Sequence, residues 1–400
     1  MPKLDTGGAE LSTIEIASAI VRAGGRALVL SEGGRLASKI EAVGGELIAF
    51  PAATKNPFLV VSNAFRMARI IEREGVDLVH ARSRAPAWSA LIAARLMNRP
   101  LVTTYHGAYE EKDCLKRTYN SVMVRGEVVI ANSHYTVDLI RARYGTAPSR
   151  IRVIHRGVDS TEFNPEAVGS DRIRALREKW ALAPDDPVVL QAARLAGWKG
   201  QRVIIEASAL LERQGRLGRA AIVLAGDAQG REGYRAELEH LIASRGLEGR
   251  VRLVGHVDDM PAAFLLARLA VVASTEPEAF GRTVTEAQSM GCPVVATDHG
   301  APPETILAPP GVSAGERTGW LVPPGDAAGL AEVMAEGLAL SHDARAEMGR
   351  RARAHVLRSF SVESMRRKTL AVYDQLLGTS LVTRFEAQFD AKGLHEPRAG

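Results

Sequence analysis

The chain has 400 residues, too many for one ordinary hydrophobic core and enough for two domains. Hydrophobic residues make up 46% and charged residues 24% of it, which excludes disordered and collagen-like classes. The formal charge of +5 is unevenly placed: residues 1–165 carry 22 basic and 16 acidic side chains, the remainder 29 and 30.

A basic half beside a neutral half points to an anionic partner: a nucleic acid, a membrane surface or a phosphate-bearing glycolipid. A merely solvated basic surface is the alternative. Aromatic residues are only 5% and are not interleaved with the basic ones, so no nucleic-acid partner is expected. Cys114 and Cys292 are the two cysteines and lie far apart. They form neither a disulfide framework nor a metal-ligand cluster, and they fit a reducing compartment. No apolar run is long enough to span a bilayer; Ala262–Ala273 is short and interrupted by Arg268. The N-terminus lacks the apolar stretch of a signal peptide, so a cytoplasmic location is expected.

In chain order, the first clear feature is the loop Asp5-Thr6-Gly7-Gly8 opening a helix over Ala9–Ala23. A doubly wound domain normally delivers such a loop from a strand, and only Met1–Leu4 precede it. Either that strand is very short or the natural chain begins upstream. Continuous apolar runs then predict strands at Ala27–Leu30, Leu47–Phe50, Leu78–Ala81, Leu101–Tyr105, Val128–Ala131 and Arg152–Ile154. Helices are predicted between them at Asn63–Glu74, Pro86–Met97 and Ser133–Tyr144. Unbroken Val/Ile/Leu runs read as parallel strands buried on both faces.

The scheme repeats after a break near Asn164–Ser170, where Pro165 and Gly169 interrupt the pattern. Strands are predicted at Val188–Ala192, Ala221–Ala225, Val251–Gly255, Ala270–Ser274, Pro293–Ala296 and Trp320–Val322. Asp326 caps a helix whose apolar stripe is Leu330, Val333, Met334 and Leu338. Another helix runs from Phe360-Ser361 to Leu377, and Gly378–Gly400 shows no strong pattern. Strand–helix alternation twice over predicts an α/β protein of two doubly wound, Rossmann-like domains facing across a cleft. Their expected extents are 1–165 and 166–360, followed by a helix at 361–378 and a tail at 379–400.

Ligands in such sheets bind beyond the carboxyl ends of the strands. Gly7 and Gly8 place free N–H groups at a helix N-terminus, suited to a phosphate or carboxylate, though a tight turn reads the same way. Arg194 and Lys199 follow the strand Val188–Ala192 in a loop containing Trp198 and two glycines. Two cations there would neutralise a diphosphate without a metal; the competing reading is a solvated loop. Glu278 and Glu286 flank Phe280, Gly281 and Arg282, with Glu278 in a strand-end loop and Glu286 in the following helix. They would hydrogen-bond sugar and ribose hydroxyls, unless they are ordinary surface carboxylates. His106 ends the strand Leu101–Tyr105 and reads equally as a cleft residue or a structural histidine. No P-loop, G-x-S-x-G elbow or H-E-x-x-H motif occurs, and no obligatory metal is expected.

Together these residues resemble glycosyltransferase family 4, of the two-domain GT-B fold. The most specific part is Glu278 through Glu286, which matches the family's Glu-x7-Glu motif with Phe280-Gly281 inside it. Ala287–Ala296, Asp5–Glu10, Arg194 with Lys199, and Gly157-Val158-Asp159 near Phe163 also resemble it. The segment around His106 looks most like bacterial cell-envelope members, and more weakly like mannosyltransferases of lipopolysaccharide core assembly.

The resemblance implies a nucleotide-diphosphate sugar, GDP- or UDP-linked, as donor and no cofactor. Gly7 and Gly8 would approach the donor diphosphate or the acceptor. Arg194 and Lys199 would bind the diphosphate, Glu278 the donor sugar and Glu286 the ribose. Phe280, Gly281 and Arg282 would offer backbone amides, and His106 would contact the transferred sugar. Gly226, Asp227 and Gly255–Val257, including Val257, would lie near the nucleotide. The resemblance further implies retention of anomeric configuration. With the basic first half, it implies a glycan or lipid-linked acceptor, met by Arg82, Arg84 and Lys112 at the inner face of the cytoplasmic membrane. A nucleotide-sugar epimerase, a sugar phosphorylase and a non-catalytic nucleotide-sugar binder are the alternatives. His299, in Asp298-His299-Gly300, departs from the small residue more usual in the family.

Overall fold

The computed structural model describes residues 1–5, 7–107, 109, 111 and 113–390, with side chains through Gln388. The chain folds as two compact units: Met1–Arg156 together with the chain from Val362 onward, and Gly157–Ser361. The division falls before the Pro165–Gly169 break. The reason is that Val158 N–H already donates to Phe360 O at 2.9 Å, and Val158 and Phe163 lie in the second unit's core.

In the first unit, β1 (Leu28–Ser31) and β2 (Glu46–Ala49) pair in parallel. A separate parallel sheet runs β3 (Val79–Ala81), β4 (Leu101–Tyr105), β5 (Val128–Ala131), β6 (Ile151–Val153). Its helices are α1 (Gly8–Arg22), α2 (Ala37–Ala42), α3 (Pro57–Arg73), α4 (Arg84–Leu96), α5 (Cys114–Asn120) and α6 (His134–Tyr144). β4 and β5 are buried at every position, as continuous apolar runs require of central parallel strands. Met1–Leu4 form no regular strand. They lie along β1, with the Met1 amino group donating to Leu30 O at 2.9 Å, Glu32 N–H to Pro2 O at 3.0 Å and Leu4 N–H to Gly33 O at 2.8 Å. An apolar cavity of about 500 Å³ is lined by Leu28–Leu30 of β1 and by Val79–Ala81 of β3.

The second unit is one six-stranded parallel sheet in the order β12-β11-β10-β7-β8-β9. The strands are β7 (Val188–Ala192), β8 (Ala221–Ala225), β9 (Val251–Gly255), β10 (Leu269–Val272), β11 (Val294–Thr297) and β12 (Gly319–Val322). Helices α7 (Ser170–Lys179), α8 (Gln201–Arg213), α9 (Glu232–Ser244), α10 (Met260–Leu266), α11 (Arg282–Ser289), α12 (Pro302–Thr305), α13 (Ala327–Ala339) and α14 (His342–Ser359) complete it. Two apolar layers form: Leu190, Val223, Ala270 and Val294 enter one, and Val189, Ile222, Val271 and Val295 the other. Alternate residues of one strand thus face opposite layers, which is the doubly wound arrangement.

The last helices, α15 (Val362–Leu377) and α16 (Leu381–Asp390), belong to the first unit. The expected patternless tail is helical through residue 390. Asp374 starts that helix by accepting the Leu381 and Val382 amides at 2.7 and 2.9 Å, and Leu381 and Phe385 pack with Met365, Leu370 and Tyr373.

Candidate active site

In the second unit, the strand order reverses between β7 and β10, and the loops following these two strands carry the predicted residues. Lys199 Nζ donates to Glu278 Oε1, and the Ser274 hydroxyl donates to the same oxygen at 2.6 Å. Both partners of the ion pair are largely buried, with side chains 18% and 12% exposed. The Lys199 ammonium also lies 4.2 Å from the centre of the Trp198 ring, a cation–π contact that restrains its long chain. Beneath it, Gln191 donates to Lys199 O at 2.6 Å, and Gln201 to Arg194 O at 3.1 Å, so the loop is anchored by buried amides. Arg194 is exposed, 5.7 Å from Trp198, and has no ion pair among the described residues.

Glu278 is placed by backbone as well. It bridges Gly300 in parallel register, and Ala301 N–H donates to Glu278 O at 2.9 Å. Gly300 has φ +84°, and a Cβ there would stand 2.3 Å from Glu278 O, so only glycine fits. Gly281 is the left-handed cap of α11 and adds no side-chain cap, so the helix presents its positive dipole end on the side where anions bind. Thr283 Oγ1 ties α11 to Ala192 O of β7 at 3.2 Å. Arg282 Nε donates to Glu286 Oε1 at 3.2 Å, one turn along the helix. Phe280 and Val257 place their side chains in the core, 2% and 8% exposed, so each has only its backbone to offer a ligand. Gly226 lets the β8 loop approach β7: a Cβ would stand 1.9 Å from Ala193 O. Asp227 O accepts Leu195 N–H at 3.0 Å, and its carboxylate accepts Gln229 N–H at 3.0 Å.

In the first unit, Gly7 caps α1 without a side-chain hydrogen bond, and Gly8 begins the helix. His106 Nδ1 lies 2.8 Å from Arg156 Nη2. A guanidinium only donates, so Nδ1 is the acceptor and the ring proton sits on Nε2. That Nε2 is enclosed and has no hydrogen-bond partner among the described residues. Burial first, then the Arg156 charge, pushes the His106 pKa well below the ordinary histidine value, so the ring is neutral. Arg82 is buried at 8% exposure, donates to the Ser12 hydroxyl at 2.6 Å, and leaves Nε unpartnered among the described residues. His80 is held between the Tyr373 hydroxyl at 2.6 Å and Thr104 Oγ1 at 2.7 Å. Arg84 is engaged rather than free: it donates to Asn120 at 2.9 Å and stacks 4.2 Å over the Tyr109 ring. Lys112 lies outside the described residues.

Ser274, His80 and Arg156 were not singled out from sequence. Arg156 stands directly before Gly157-Val158-Asp159, and Ser274 follows an apolar run. Those positions were the available signals.

Two parallel doubly wound units, with ligand-type loops at strand carboxyl ends, define the GT-B class of glycosyltransferase fold. Residues 6–162 match Glycosyltransferase Family 4, and residues 172–355 match Glycosyl transferases group 1. A glycosyltransferase from Rickettsia africae ESF-5 is 32% identical, with TM-score 0.84, over 94% of this chain and 96% of that one. Anabaena Alr3699/HepE, solved with UDP-glucose, is 26% identical, with TM-score 0.80, over 94% and 98%. The D-inositol 3-phosphate glycosyltransferase of Jonesia denitrificans is 27% identical over 75% of this chain and 72% of its own length. A putative colanic acid biosynthesis glycosyltransferase, WcaL of Salmonella typhimurium, is 30% identical over 67% of this chain and 62% of its own length. The chain belongs to glycosyltransferase family 4.

Proposed function

We propose that this glycosyltransferase is a retaining, metal-independent hexosyltransferase. It moves a sugar from a UDP- or GDP-linked donor to an anionic, membrane-linked glycan or glycolipid of the bacterial envelope. The observation that carries the reading is the Lys199–Glu278 pair at the β7 and β10 strand ends, beside the exposed Arg194 and the N-terminus of α11. A diphosphate entering there exchanges one anion for another at Lys199, and the freed Glu278 carboxylate accepts donor-sugar hydroxyls. Glu286 takes the ribose diol, and Gly226, Asp227 and Val257 border the nucleotide through backbone.

In the transfer step, the bond from the anomeric carbon to the leaving phosphate oxygen breaks. A bond to the acceptor oxygen forms on the same face, and the leaving phosphate takes the acceptor's proton. Negative charge grows on the departing nucleoside diphosphate, where Lys199 and Arg194 stabilise it. Neutral His106 donates its Nε2 hydrogen to the transferred sugar. The buried guanidinium of Arg82 and the half-buried one of Arg156 favour an acceptor with a phosphate or carboxylate, and Gly7 and Gly8 add helix amides. The inositol 3-phosphate named for the Jonesia relative and the colanic acid biosynthesis named for the Salmonella one support an acceptor of this kind.

A panel of UDP- and GDP-sugars, screened for thermal stabilisation, identifies the donor; at 100 times its dissociation constant a ligand adds about 2.7 kcal/mol. With that donor and an anionic lipid-linked acceptor, transfer continues in excess EDTA and the product keeps the donor's anomeric configuration. Inhibition by EDTA contradicts metal independence, and inverted product contradicts retention. Conversion of donor alone to its epimer would replace the reading with an epimerase, and binding without turnover with a sensor.

A further inference from the structure

We propose that the outward face of the first three turns of α3 is a docking surface for an anionic lipid membrane. Asn56 caps α3 and accepts Phe58 N–H at 3.0 Å, with Pro57 in the first turn. Asn63, Ala64, Met67, Ala68 and Ile71 then form its buried face, which packs on α4. The opposite face is also apolar, which is unusual for a surface helix. Phe58 is 84% exposed, Phe65 54%, Leu59 53% and Val61 48%. Phe58, Val61 and Phe65 recur at helical spacing, so they stand together on one side.

Charge complementarity identifies the occupant. No acidic residue occurs in α3 before Glu72, while Arg66 and Arg69 are exposed on the next turns and Lys55 just before the cap. Large apolar side chains backed by a basic rim match the two-layered chemistry of an anionic bilayer surface: hydrocarbon within, phosphate above. No helix of the described residues is long and apolar enough to cross a membrane, so this surface supplies contact without a span. The inference rests on the membrane-linked acceptor proposed above and gives that reading its point of attachment. It is tested without donor or acceptor, so its failure would leave sugar transfer untouched.

The experiment is sedimentation of the full chain with vesicles of phosphatidylcholine alone or mixed with phosphatidylglycerol. Partitioning is expected on the mixed vesicles and to weaken as salt rises. F58S/F65S should lower it more than tenfold while circular dichroism and the unfolding midpoint stay unchanged, because both rings are exposed. R66Q/R69Q should lower it about fivefold per arginine on mixed vesicles only. Phe65→Trp should be quenched by brominated lipid, which reports insertion directly. Equal partitioning of F58S/F65S and the parent would overturn the proposal, as would no partitioning of the parent. A concentration-dependent dimer that F58S/F65S dissolves, without vesicle binding, would instead make the face an interface between two copies.

Discussion

One oxygen of Glu278 accepts from both the Lys199 ammonium and the Ser274 hydroxyl, and that double contact sets how substitutions there should behave. Glu278→Gln keeps the volume and removes the charge. It should leave affinity for the free nucleoside diphosphate within about threefold of the parent while lowering kcat by about a hundredfold or more, the scale of a lost transition-state contact. Lys199→Ala should weaken the diphosphate and the donor alike. Isothermal titration beside turnover separates the two, and equal effects on both ligands from both substitutions would contradict the division of roles. His106 offers a different test. With its proton fixed on Nε2 by Arg156, His106→Phe should cost about a hundredfold in kcat without altering the pH dependence of kcat between pH 6 and 8, since the ring is already neutral. A lost ionisation in that range would show that the histidine titrates in catalysis.

Among the elements, the buried strands and the capped helices were the most legible. β4, β5, β7 and β8 fall on their predicted bounds because a strand buried on both faces leaves a largely apolar run, and the half-buried edge strand β9 does so as well. The helix after Asp326 was read from its cap, and the cap is present: Asp326 accepts Gly329 N–H at 2.9 Å. The start of α3 was not legible, since Phe58, Leu59, Val61 and Phe65 blur the stripe that Asn63, Ala64 and Met67 make. The signal available was the cap, Asn56-Pro57. Likewise the stripe of Leu381, Val382 and Phe385 is too short to stand out, and α16 is held by tertiary contact instead. Phe385→Ala should therefore cost about 3–5 kcal/mol in denaturant unfolding, as for other buried aromatics. A cost below about 1 kcal/mol would return the segment to a loosely held tail. At the site, the Glu-x7-Glu spacing located Glu278 and Glu286. The four-residue spacing of Arg282 and Glu286 signals their pairing only once α11 is known to start at Arg282, and that Phe280 and Val257 face the core follows from strand order.

At the scale of the molecule, burial of neutral imidazoles makes stability depend on pH. His80 and His106 in the first unit have pKa values depressed below the ordinary 6.5, chiefly by burial, as does His355 in the second. Between the folded and unfolded values only the unfolded chain takes up the proton, so these histidines make stability fall below about pH 6.5; the buried Met1 amino group, pushed down from 8.0 to about 5 by burial, adds a loss that begins below about pH 8. The slope is at most about 1.4 kcal/mol per pH unit for each histidine. Unfolding midpoints between pH 5 and 8 measure it, and H106N should shallow the slope; an unchanged slope would show that His106 charges in the fold. In the proposed transfer the positive balance of residues 1–165 would act at the same scale, drawing that part of the chain towards an anionic surface. Sugar transfer through Glu278 is tested most directly by release of nucleoside diphosphate from the identified sugar donor, with acceptor present, by the parent and by Glu278→Ala. Acceptor-dependent release by the parent is expected, with a loss of a hundredfold or more in the variant and its fold intact. Equal turnover by both proteins would contradict it.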